Sequence, residues 1–244
     1  MMQTLRSAAA VGKMSGSNNT TNVDDSLQRI NIALGIFFIF LAIITVPGNI
    51  LVLRAISSNK RLMQGVTNRF VSSLACADLL IGAVIMPLHA SLLIIGSWSA
   101  GSTICEMWIS IDVLSGTASI ETLCAIAIDR YVAITSPLRY QSIMTRRRAY
   151  IIIICVWLIS AAISVLPIHL GWWRSDDPAA QTCYDDPTCC DFITNKYFAI
   201  ISSAISFYIP LIIMIFVYNR VLKEAERQVS ILEKIRIRIR EMFK

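Results

Sequence analysis

The sequence predicts an all-α membrane bundle of five transmembrane helices, and three observations predict it. Of the 244 residues, 55% are hydrophobic and only 16% charged, where soluble domains carry about a quarter charged residues. Five apolar stretches are long enough to cross a bilayer, for which about 20 residues at about 1.5 Å each cover a ~30 Å hydrocarbon core. The 22 Lys and Arg residues outnumber the 16 Asp and Glu and gather in short segments between and after those stretches. No soluble basic face exists to carry a nucleic acid, so the charge is read as topology and no nucleic-acid partner is expected.

The elements follow in order. Residues 1–29 are rich in Ser, Asn, Thr and Ala and form a polar tail, with no apolar core suited to a signal peptide. The first span, about residues 30–56, places Pro47-Gly48-Asn49 at membrane depth. The second, 66–95, carries Asp78 near its middle and Pro87 in its outer half, where a kink is expected. The third, 104–134, is the most polar, with Asp112, Ser115, Thr117, Ser119, Glu121 and Thr122. Polar groups facing lipid are expensive, so this helix is expected at the centre of the bundle. Trp157 and Pro167 mark the fourth span, 150–170, and Pro210 the fifth, 197–221, closing a transmembrane domain of residues 30–222. In the last segment, 223–244, Val229, Leu232, Ile235 and Ile239 fall at helical spacing, yet Ile235-Arg236-Ile237-Arg238-Ile239-Arg240 alternates with period two. A basic amphipathic helix on the cytoplasmic membrane surface is the preferred reading. A solvated extension of the fifth helix is the alternative.

Orientation follows from the short loops. Lys60, Arg61 and Arg69 follow the first span; Arg130, Arg139, Arg146, Arg147 and Arg148 join the third and fourth; eight more basic residues follow the fifth. The two remaining loops hold only Arg174 and Lys196. Excess positive charge marks the cytoplasmic side, so the N-terminus is expected outside, where overlapping glycosylation sequons begin at Asn18 and Asn19. Cys105, Cys183, Cys189 and Cys190 all fall on that outer, oxidising side. A vicinal Cys189–Cys190 bond is strained, which leaves two pairings, each tying the second outer loop to the top of the third helix.

Asp112 is the most informative residue. It lies seven residues, about 10 Å, inside Cys105, and a carboxylate at that depth needs a cation or water. The spans hold no Lys or Arg at comparable depth, so the missing cation is inferred to be a ligand, most simply a protonated amine; a hydrated, unpaired Asp is the alternative. Ser202 and Ser206 share one face of the fifth helix with Ser203 beside them. Their hydroxyls suit paired ring hydroxyls, although Ser in membrane helices often bonds its own i−4 carbonyl. Asp129-Arg130-Tyr131 ends the third helix, Arg130 lying eighteen residues, about 27 Å, beyond Asp112. That adjacent pair suits a resting-state lock at the cytoplasmic face. Asp78, Asn49 and Ser119 carry the oxygen ligands a sodium ion needs, or else form a buried hydrogen-bonded cluster; no other cofactor is expected. No nucleophile–base pair, phosphate loop or metal spacing appears, so no enzyme is expected.

These residues, in this order, resemble the rhodopsin-like receptor family. Gly48-Asn49, Leu74 through Asp78, Cys105, Asp129-Arg130-Tyr131, Trp157 and Pro210 match its helix signatures. Ser110 through Leu114, Thr117 through Cys124, Thr135 through Ser142, Cys189-Cys190-Asp191-Phe192 and Ser202 through Pro210 resemble beta-adrenergic receptors more specifically, and Arg139 through Thr145 lean toward the beta-1 subtype. The resemblance implies a multi-pass plasma-membrane receptor for catecholamines such as adrenaline, or for beta-blockers. Asp112 would pair with the ammonium, Ser202, Ser203 and Ser206 would face the catechol, and Val113 and Phe192 would pack on the ring. It further implies disulfides Cys105–Cys190 and Cys183–Cys189. Asp129, Arg130, Tyr131 and Leu138 would face a heterotrimeric stimulatory G protein.

The departures are as specific. The family has seven helices and this sequence carries five, so a truncated or engineered chain is expected, one that needs its sixth and seventh helices to signal. Ser115 and Gly116 stand where other residues are usual beneath Asp112, and Ala100 replaces an aromatic. The competing readings are another biogenic-amine receptor, for dopamine or octopamine, and a non-signalling receptor fragment or scaffold.

Overall fold

The computed structural model describes residues 20–242, almost all of them helical. The sequons at Asn18 and Asn19 lie outside the described residues. Five helices are long and apolar enough to cross a membrane: α1 (Thr20–Ser58), α2 (Val66–Ile95), α3 (Ser102–Thr135), α4 (Arg146–His169) and α5 (Lys196–Met242). Short helices Lys60–Gln64, Pro137–Ile143 and Pro178–Asp185 occupy the connections.

Pro87 and Pro210 act on backbone hydrogen bonding rather than ending their helices. Proline lacks the N–H and its ring clashes with the carbonyl four residues back. In α2 a wide π turn, Ile81–Ile85, precedes Pro87, and in α5 another, Ala204–Tyr208, precedes Pro210. Each π turn takes up the mismatch without breaking the helix, as π-bulges do. The fifth helix then continues unbroken to Met242. Residues 223–242 contain neither Pro nor Gly, so nothing stops propagation, and the Ile-Arg alternation is accommodated as helix. Likewise α1 begins ten residues before the apolar run, because residues 20–34 also lack a breaker.

The most polar span is the central one: α3 packs against α2, α4 and α5. Its Ser110, Ser115, Thr117, Thr122 and Asp129 are buried. Ser110 and Ser115 donate to the carbonyls of Glu106 and Ile111 at 2.7 and 2.6 Å, which satisfies their hydroxyls within the helix. Close approach is set by small residues. Ala77 of α2, Ala118 of α3 and Val156 of α4 meet in one cluster, with both alanines fully buried. Beside it the Trp157 indole donates to Ser73 Oγ at 2.9 Å and ties α4 to α2. A Cβ on Gly82 would sit 3.1 Å from the side chains of Thr45 and Val46, so α1 and α2 approach through that glycine.

A larger cluster closes the Cys105 end, built on Trp98, Trp108, Ile109, Ile168 and Trp173. Trp98 stacks on Trp108 with centroids 5.2 Å apart.

The Ala77–Ala118 contact makes a direct prediction. Ala118→Leu overpacks a three-helix junction and lowers stability by about 1–3 kcal/mol, read as a lower thermal unfolding midpoint in detergent. Ile212→Ala on the exposed face of α5 leaves that midpoint nearly unchanged.

Candidate functional site

The candidate residues lie along α3 at three levels. At the Cys105 end the connection between α4 and α5 is held as a cap. Cys105 bonds to Cys190 and Cys183 to Cys189, with Cα atoms 5.8 and 5.3 Å apart, so of the two pairings left open by the sequence the structure holds this one. Arg174 pairs with Glu106 of α3 at 2.9 Å. The Asn195 amide nitrogen donates to the carbonyls of Trp172 and Arg174 at 2.5 and 3.2 Å, and its backbone N–H donates to Trp173 O. Phe192 rests against Trp173, centroids 5.1 Å apart, and edge-on to Phe198 of α5 at 6.0 Å. Val113, Phe192 and Phe198 all pack on the hydrophobic cluster at the Cys105 end.

One turn from that cluster Asp112 presents an exposed carboxylate. Among the described residues no side chain forms an ion pair or hydrogen bond with it. On α5, Ser206 lies in the π turn and accepts a 3.0 Å hydrogen bond from Thr117 of α3, five residues below Asp112. Ser202 sits half-buried one turn nearer the Cys105 end, while Ser203 is exposed. The structure therefore brings Asp112, Val113, Phe192 and Ser206 around the Cys105-side half of α3, and leaves Ser203 exposed. Carboxylate, aromatic ring and hydroxyl are the three groups that bind an ammonium, a ring face and a ring hydroxyl.

At the middle level Ser119 donates to Asp78 Oδ1 at 3.1 Å. Asn49 donates its amide to Thr45 O in its own helix at 3.0 Å. The structure joins Asp78 to Ser119, and it shows no bond from Asn49 to either.

At the far end Asp129 is completely buried. A buried carboxylate needs both a countercharge and hydrogen bonds, and it has both. Arg130 reaches it at 2.7 Å through Nη2 and 3.2 Å through Nε; Thr67 Oγ1 donates at 2.6 Å and Tyr140 Oη at 2.7 Å. Arg130 Nη2 also donates to Thr67 Oγ1. Burial, together with the hydrogen bond to the Asp129 carboxylate, raises the Tyr140 phenol above its ordinary range, so it remains a donor at neutral pH. Tyr131 is half-buried beside this network. Leu138, 99% exposed, projects from the short helix Pro137–Ile143 with no apolar partner. Thr67 was not singled out by the sequence, its one signal being a polar residue beside the basic loop, which is common; Tyr140 stood there only within the stretch Thr135 through Ser142, with no role assigned.

Comparison with known proteins adds the lineage. The family description "7 transmembrane receptor (rhodopsin family)" matches residues 48–242. The octopamine receptor beta-1R of Drosophila melanogaster is 41% identical over 211 residues, covering 86% of this chain and 41% of the relative. The D(1) dopamine receptor of Carassius auratus is 38% identical over 87% of this chain and 61% of its own length. The alpha-1D adrenergic receptor of Mus musculus is 37% identical over 88% of this chain and 36% of its own. This chain thus spans between 36% and 61% of the length of these three relatives.

Removing the Tyr140 hydroxyl takes one donor from a buried carboxylate. Tyr140→Phe is expected to lower stability by about 1.5–3 kcal/mol, measured by thermal unfolding at pH 7. Because the folded pKa is raised, the Tyr140 contribution is complete below the unfolded value of about 10 and is lost as pH rises through the folded value. The difference between wild type and Tyr140→Phe therefore shrinks only at strongly alkaline pH.

Proposed function

The chain belongs to the rhodopsin family of seven-transmembrane receptors, and we propose that it is the amine-binding portion of a beta-adrenergic-type receptor. A protonated catecholamine pairs with Asp112, its ring packs between Val113 and Phe192, and its ring hydroxyls meet Ser202 and Ser206. The observation that carries this reading is the Asp112 carboxylate, which lacks a protein partner among the described residues, on the helix whose Val113 packs on the aromatic cap and whose Thr117 bonds Ser206. An ammonium supplies the missing charge, and the hydrogen bond it makes to a carboxylate is charge-assisted and strong.

Together with the rest of a seven-helix receptor, the Arg130 end engages a stimulatory heterotrimeric G protein in the plasma membrane, with the Cys105 end outside. Release of Arg130 from Asp129 and Thr67 is the natural switching step, and Leu138 offers an apolar side chain to the partner. Asp78 and Ser119 supply oxygen ligands for a sodium ion.

A second reading keeps the same site and changes the amine. The relatives include octopamine and dopamine receptors, and a single ring hydroxyl would require only one of the two serines. The motif Cys189-Cys190-Asp191-Phe192 and the stretch from Arg139 to Ser142 favour the beta-adrenergic reading.

Saturation binding of a labelled beta-adrenergic antagonist to membranes carrying this chain tests the proposal. Asp112→Ala is expected to weaken binding by about 2–5 kcal/mol, tenfold for each 1.4. Competition by adrenaline, dopamine and octopamine then ranks the amines; Ser206→Ala costs a dihydroxy ring more than a monohydroxy one if the catechol reading holds. Absence of antagonist binding in correctly inserted protein overturns the proposal for this chain.

A further inference from the structure

At the Arg130 end, α5 runs on past the bundle with an apolar face that nothing among the described residues covers. Its last hydrogen bond to another element there is from Gln228 Nε2 to Ile134 O at 3.0 Å. Residues 229–242 follow as unbroken helix, about 21 Å at ~1.5 Å per residue, and every one of them is exposed. Ile231, Leu232, Ile235, Ile239 and Met242 fall at i, i+1, i+4, i+8 and i+11, which gathers them on a stripe about a third of the circumference wide. Leu232 and Met242 are 66% and 76% exposed. A contiguous apolar stripe of this kind marks an interaction surface.

The charges around the stripe say what can cover it. At helical spacing Lys234 and Arg238 flank one edge and Arg236 and Arg240 the other, with no Asp or Glu from residue 234 to 240. Glu233 and Glu241 fall on the opposite side of the helix. Basic residues along both edges repel a second copy of the same face and attract an acidic partner. Ile237 lies across the helix from the stripe and is 52% exposed. A membrane surface covers one face of a helix and leaves Ile237 in water, and residues 223–242 hold no Pro or Gly at which α5 could bend onto that surface. A partner that closes around the helix covers both faces.

We propose that residues 229–242 are a docking helix for an acidic, two-lobed calcium-sensor protein of the EF-hand type. Calcium opens such a protein to expose a Met-rich apolar groove, and that groove takes up basic amphipathic helices through anchors at helical spacing. Leu232, Ile235, Ile239 and Met242 would fill the groove, and Ile237 would meet the lobe that closes over the other side. The two basic edges would face the acidic rims of the groove. The stretch is clear of the bundle, so a partner can enclose it without displacing α3 or the connection after it. This assignment does not depend on which amine Asp112 receives.

The test uses the full chain in phosphatidylcholine nanodiscs with labelled calmodulin as the probe, titrated in calcium and in chelator, while amide hydrogen exchange is followed over residues 229–242. Binding is expected with a Kd of about 1 μM or tighter in calcium, at least about a hundredfold weaker in chelator, with slowed exchange across that stretch. Leu232→Gln with Ile239→Gln is expected to weaken binding roughly thirtyfold or more. Arg236→Gln with Arg238→Gln is expected to weaken it about tenfold at low salt and to flatten its salt dependence. No binding at about 100 μM probe overturns the proposal, as does equal binding in chelator or binding that the Leu232–Ile239 pair leaves unchanged. Exchange that slows on moving to phosphatidylserine discs, where calmodulin then fails to bind, assigns the stretch to the membrane and overturns it too. If a Gln pair fails to insert, the calcium dependence and exchange footprint of the wild type decide the matter. Amine binding at Asp112 is a separate readout, so either assignment can fail without the other.

Discussion

Inside a bilayer a polar group has no water to turn to, and each unsatisfied donor or acceptor costs several kcal/mol. The arrangement of this bundle follows from that constraint acting on α3. A helix carrying serines, threonines and four carboxylates can exist at membrane depth only when other helices surround it, and α2, α4 and α5 do so. Serines 110 and 115 return their hydroxyls to their own backbone. Ser119 is paired with Asp78, and Asp129 is enclosed by Arg130, Thr67 and Tyr140. Small residues, Ala77 and Ala118, let the backbones come close enough for these contacts.

Once those groups are satisfied, what stands out is the remainder, and it differs in sign at the two ends. Near the disulfide-held cap a carboxylate, Asp112, lacks a cation among the described residues. At the other end two cations, Arg54 and Arg69, lack an anion among the described residues. The first supports an amine ligand at the Cys105 end of the bundle. The cap is tied at several points: two disulfides, the Arg174–Glu106 pair and the Trp173–Phe192 contact hold it to the Cys105 end of α3.

Most of this architecture is legible in the sequence because it rests on length, apolarity and helical spacing. The five spans, the central place of the polar helix and the isolation of Asp112 all follow from those quantities. What was not legible depends on contacts between distant residues or on choices among near-equal local solutions. Thr67 lies 62 residues from Asp129, and nothing local marks it as a partner. Pro87 and Pro210 announce a disturbance, but whether a kink or a π turn absorbs it depends on packing. The Ile-Arg repeat fits two periodicities, and the helix ahead of it decides by propagating. Asn49, grouped with Asp78 on residue type, has a nearer acceptor in its own helix at Thr45.

The central claim is that Asp112 is held for a ligand's charge. It is tested most directly by comparing a protonated arylethylamine antagonist with its uncharged ether isostere in competition binding to the wild type and to Asp112→Asn. The account predicts that the wild type prefers the charged compound by at least about thirtyfold, as expected of a salt bridge worth about 2 kcal/mol or more, and that the preference nearly disappears in Asp112→Asn. A preference that survives the substitution unchanged would place the counter-ion elsewhere and contradict the account.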